Sequence, residues 1–132
     1  MKHEFYPKMG GDLVAACERL AKGLGLVGAV IILYRGKKVD AEIGMSFAPN
    51  LKVGPNAFRE LTNSIINGEY STSLNTPNGG CMKVAEATDA EGVIFFLVEK
   101  DGGVRVSVSK PMLPDVVASF SFGIATNFEA RN

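Results

Sequence analysis

The 132-residue chain carries fourteen basic and fourteen acidic side chains, so it has no overall field to concentrate a polyanion, and nucleic acid is not an expected partner. The one local basic cluster, Arg35-Gly36-Lys37-Lys38, is accounted for by a solvated turn. An apolar fraction of 46% over this length supplies a single hydrophobic core, and residues 1–132 are expected to form one domain. Cys17 and Cys81 make no disulfide framework, the first residues lack the apolar stretch of a signal peptide, and the longest apolar run, Leu24 to Tyr34, is too short for a bilayer. The expectation is a cytoplasmic protein with no membrane partner.

Leu13, Cys17, Leu20 and Leu24 recur at helical spacing, which predicts a helix over 13–25 with Asp12 as N-cap and Gly25 as its left-handed stop. Val27 to Tyr34 is apolar on both faces and reads as a central strand covered on each side. After the basic turn, Val39, Ala41, Ile43 and Met45 alternate with polar residues up to Ser46, predicting the second strand of a hairpin with one wet side. Residues 55–66 read as a second helix with Phe58, Leu61 and Ile65 inward, stopped at Asn67-Gly68. A short strand is expected over 81–87 and a stronger one over 92–99. Lys100-Asp101-Gly102-Gly103 then turns the chain into an alternating strand, 104–109. Finally, Val116, Ala118, Phe120, Phe122 and Ile124 alternate with small residues at a period of two, predicting a closing strand.

These elements make an α+β fold: a single antiparallel sheet of five to six strands with two helices packed on it, in the order α-β-β-α-β-β-β-β. This order is similar to that of profilin-like, PAS-like and roadblock-like domains, with the first helix and hairpin most alike. The predicted closing strand stands where roadblock-like domains have a helix.

Residues 70–82 form a charge-free polar tract between Glu69 and Lys83. One reading is a surface loop whose side chains satisfy their own backbone in turns. The other is a recognition loop in which Ser71, Thr72, Ser73, Asn75, Thr76 and Asn78 offer neutral donors and acceptors beside Tyr70 as an aromatic wall, with Arg59 and Arg105 able to pair with an anionic group nearby. Arg105 is expected on a wet strand face with Ser107. Cys81 follows Gly79-Gly80 and is the one residue with a nucleophilic reading, Lys83 being its nearest cation; a small buried side chain is the commoner use of such a cysteine.

The single histidine, His3, leaves no partner for a catalytic triad, and the cysteines and acidic residues give no metal-ligand spacing, so neither a metal nor a cofactor is expected. No Gly-rich phosphate motif occurs. The expected function is a non-catalytic interaction or regulatory module working as a homodimer or with a protein partner, through a sheet face or edge on which Val116, Phe120, Phe122 and Ile124 form an apolar interface. The alternatives are a small-molecule binding domain using the 70–82 loop and an enzyme using Cys81.

Overall fold

Two strands with no polar face, β1 (Gly28–Tyr34) and β4 (Gly92–Val98), pair antiparallel with Ile31 opposite Phe95 and form the centre of the molecule. In the computed structural model, which describes residues 11–34, 41–48, 55–70, 72–74 and 80–131, the remaining elements are α1 (Gly11–Leu24), β2 (Ala41–Phe47), α2 (Pro55–Ile66), β3 (Ser73–Leu74), α3 (Gly80–Thr88), β5 (Val104–Val108) and α4 (Pro114–Arg131). The sheet runs β2-β1-β4-β5-β3. Its four main strands are antiparallel, and only the two-residue β3 joins in parallel, on β5.

Successive side chains on a strand point to opposite faces, so two buried strands in the middle demand cover on both. On one face Ala29, Ile31, Leu33, Val93, Phe95 and Leu97 pack with Leu13 and Cys17 of α1 and Cys81 of α3. On the other, Val30, Ile32, Ile94, Phe96, Val106 and Val108 pack with Phe58, Leu61 and Ile65 of α2 and with Val117, Ala118, Ile124 and Ala125 of α4. The fold is thus α+β as expected, but as three layers with two helices on each side of the sheet.

Two segments read as strands are helices. Over 116–125 the buried positions are Val117, Ala118, Ser121, Ile124 and Ala125, a spacing of one helical face, while Phe122 is 59% exposed. The period-two reading failed because a polar residue is buried and an aromatic one is not. Thr62 Oγ1 lies 2.7 Å from the Phe58 carbonyl and 2.9 Å from Ser121 Oγ, and Ser121 Oγ lies 2.9 Å from the same carbonyl. This triangle satisfies both hydroxyls inside the α2–α4 contact, which is why a serine can be fully buried there. Pro114 in the first position and Asp115 in the first turn are favourable helix-start residues. The segment that reads as a strand over 81–87 is α3: Cys81 and Thr88 are buried, seven residues and two turns apart, and Met82, Lys83 and Glu86 are exposed. The closing element is therefore a helix, and α3 stands as a further helix between β3 and β4.

The predicted first and second helices are present, with Asp12 inside the first turn of α1 and not ahead of it. Gly25 and Gly68 take φ of 67° and 74°, and the bonds from Leu26 N–H to the Ala21 carbonyl and from Glu69 N–H to the Ser64 carbonyl, each 2.8 Å, close both helices in the same left-handed motif. The basic turn Arg35-Gly36-Lys37-Lys38, Val39 at the start of the expected second strand, and residues 49–54 lie outside the described residues.

The side of β2 expected to be wet is covered at its centre. Gly44 is buried beneath α1: a Cβ there would meet Leu13 Cβ at 2.5 Å and the Leu13 backbone carbon at 3.0 Å, and Cys17 Sγ donates to the Gly44 carbonyl at 3.3 Å. Gly44→Ala is expected to lower the urea-unfolding free energy by about 1–3 kcal/mol through overpacking. Gly23→Ala, in a helical position with open space around it, is expected to raise it by about 0.5–1 kcal/mol.

Candidate functional site

An antiparallel ladder alternates residues whose backbone groups bond one neighbour with residues whose groups point the other way. Two hydrogen bonds fix that phase at the two sides of the sheet. Ala48 N–H bonds the Val27 carbonyl at 2.8 Å, so Ser46, Gly44 and Glu42 bond inward to β1, and Ile43 and Met45 turn their N–H and C=O to the outer side. Ser109 N–H bonds the Val93 carbonyl at 3.0 Å, so Ser107 and Arg105 bond inward to β4, and Val104, Val106 and Val108 turn outward.

The β5 side is finished by a side chain. Tyr70 donates its hydroxyl to the Val104 carbonyl at 3.0 Å and accepts the Val106 N–H at 2.9 Å, both outward-facing groups of β5, and β3 continues the cover by pairing Leu74 with Val108. One phenol thus does the work of a neighbouring strand residue. Burial raises the Tyr70 pKa, against smaller lowering effects of the Val106 N–H and of Arg105. The expected aromatic wall of a ligand site is a clamp on the sheet, with its hydroxyl used on both donor and acceptor sides.

The β2 side differs. Among the described residues no strand pairs on the outer side of β2. The strand has one charged residue, Glu42, and its side chains Ala41, Ile43, Met45 and Phe47 pack against the edge of the α2–α4 core while remaining half-buried. A seven-residue edge strand with little charge is the type of edge that proteins usually blunt.

Cys81 is fully buried and its thiol donates to Ser107 Oγ at 3.4 Å. Burial lifts its pKa from 9.0 to about 11, outweighing the lowering effects of the Ser107 hydroxyl and the Phe95 backbone. Lys83, two positions along the same helix, points elsewhere and is exposed. A buried neutral thiol is a poor nucleophile. Its partner Ser107, expected on the wet face with Arg105, is 1% exposed because α3 covers that face. Arg105 is exposed and pairs with Glu99 on the β4–β5 hairpin, and of the described tract residues it is Tyr70 whose pKa its charge lowers.

Of the other tract residues, Thr72 is exposed and the backbone of Ser73 is in β3, while Ser71, Asn75, Thr76 and Asn78 lie outside the described residues. Arg59 is on the exposed side of α2. The expected interface set is separated by its helical geometry: Ile124 is buried, Val116 and Phe120 are half-buried with the Phe120 ring edge-on to Tyr34, and only Phe122 stands out. Phe122 and Ile66, 59% and 60% exposed, flank an open groove of about 350 Å³ floored by Ala118, with Thr62, Asp115 and Ser119 completing its lining. Among the described residues no three His, Cys, Asp or Glu side chains are grouped to hold a metal ion, and no helix is long and apolar enough to cross a membrane.

Comparison with protein-family models, with curated proteins and with solved structures found no match to this chain.

Tyr70→Phe is expected to cost about 1–2 kcal/mol by leaving two strand groups without their protein partner, and to speed amide exchange at Val106 more than at Ser107. The thiols give a pH signature. Cys17, fully buried, is pushed up by burial to about 12, and Cys81 to about 11, both from 9.0. The folded state holds these protons where the unfolded state loses them, so this contribution to stability is complete below about pH 9 and is lost as pH rises through 11 to 12. Urea midpoints of Cys81→Ala are expected to fall less steeply between pH 9 and 11 than those of the unsubstituted chain.

Proposed function

We propose that this chain is a non-catalytic protein-interaction module that works as a homo-oligomer by presenting a sheet edge. The observation that carries this reading is the unequal finishing of the two edges among the described residues. On β5 the Val104 carbonyl and the Val106 N–H are taken up by Tyr70 and Val108 pairs with β3, whereas Ile43 and Met45 on β2 turn their backbone groups away from β1 beside a half-buried apolar stripe. Strand addition at such an edge gains backbone hydrogen bonds for affinity and alternate side chains for specificity. The chemistry of the candidate groups agrees with a binding role. Tyr70 is engaged with the backbone and the Cys81 thiol is buried and neutral, so neither is available for acid/base or nucleophilic work.

Sedimentation equilibrium from about 1 to 200 μM is expected to give a reversible monomer–dimer equilibrium, and Phe122→Ser is expected to leave it unchanged. A strictly monomeric chain over this range would count against self-association. A dimer dissolved by Phe122→Ser would move the interaction to the groove between α2 and α4.

A further inference from the structure

We infer that the β2 edge, on which no described strand pairs, is occupied by β2 of a second copy, paired antiparallel about a two-fold axis through Gly44. This rests on the self-association reading and gives it an atomic form. Because alternate residues face outward, a two-fold pairing must match outward residues with outward residues, which leaves only axes passing through a residue of the strand. An axis at Gly44 sets Ile43 against Met45 and Ala41 against Phe47 in both directions, and it is the register that uses the whole of β2.

Three features of the chain suit that register. The one charge on the strand, Glu42, is placed opposite the neutral Ser46 of the other copy, whereas an axis at Glu42 would set two carboxylates face to face. The residue on the axis has no side chain, so the close approach of two strands at a non-hydrogen-bonded pair meets no obstacle there. On the α2–α4 side, Ala41, Ile43, Met45 and Phe47 are all half-buried, and the pairing covers them with the same apolar set from the other copy.

The helices fit as well. α1 contacts both β1 and β2 and is seated at Gly44 through Leu13. With strands about 4.8 Å apart, a helix over the β1–β2 gap and its two-fold copy stand ~10 Å apart, the upper end of ordinary helix packing. The product is one continuous sheet with four helices on each side.

Two measurements on the intact chain test this. Amide exchange followed from low to high micromolar concentration should slow at Ile43 and Met45, while Glu42 and Gly44, already bonded to β1, should be slow throughout. Ser46→Glu should raise the dimer dissociation constant by about two- to thirtyfold, since the substitution places like charges across the new strand pair twice, and Ser46→Lys should lower it by a similar factor. A dimer in which exchange at Ile43 and Met45 is independent of concentration, or in which both Ser46 variants leave the constant unchanged, would overturn the strand pairing while leaving self-association intact. A chain that remains monomeric would overturn both. Because the exchange measurement uses the unsubstituted protein, failure of a Ser46 variant to fold would not remove the test.

Discussion

Burial of β1 and β4 on both faces is the constraint on which the rest of the structure depends. Val30, Ile32, Ile94 and Phe96 point to one side, Ala29, Ile31, Val93 and Phe95 to the other, and every one of them is at most 1% exposed. Each large side chain so buried contributes roughly 1.5–3 kcal/mol relative to exposure, and that gain requires a helical layer on both faces. α1 and α3 form one layer, α2 and α4 the other. The α2–α4 layer is itself held by the Thr62–Ser121–Phe58 triangle, a polar contact whose value is in orienting two helices that apolar packing alone would allow to slide.

Covering the faces does not settle the edges. A sheet of four antiparallel strands has two rows of outward backbone groups, and the chain treats them differently. Tyr70 reaches back from the residues following α2 to serve a carbonyl and an amide on β5 together, possible because a phenol is donor and acceptor at once. The same residue that looked like part of a binding loop is therefore better understood as the device that keeps one edge from pairing. In the proposed pairing this asymmetry matters, because two edges free to pair would allow chains to add without limit.

The first half of the fold was legible in the sequence because its signals are of one kind. The stripe Leu13, Cys17, Leu20, Leu24, the two-faced run before Tyr34 and the glycines at 25 and 68 each agree with local propensity, and the structure follows them closely. The second half was misread where tertiary context overrides pattern. Ser121 is buried because Thr62 and the Phe58 carbonyl receive it, and Phe122 is exposed, so a helical face is disguised as a strand. The run of segments read as strands also left two helices to cover two faces, a shortage that the apolar run 27–34 itself implied. Of the candidate site, Tyr70 and Cys81 stand out by their place in an unusual tract, but what each does depends on β5, 26 to 36 residues away. The β2 edge was hidden because an alternating strand has the same pattern at an edge as in the middle of a sheet.

The seating of α1 connects the core to the edge. Leu13 and Cys17 lie against Gly44, on the outermost strand, and not only against the central strands. With a side chain at position 44 the helix would be held away from β2, and the edge strand would lose its cover on that face. Glycine lets the helix press β2 into the plane of the sheet, and it leaves the middle of the edge without any side chain to block another strand. The same absent Cβ thus bears both on the packing of α1 and on the proposed edge pairing, so a substitution meant to test the pairing alone belongs elsewhere on β2, at Ser46, where the side chain is half-buried and the backbone already bonds inward.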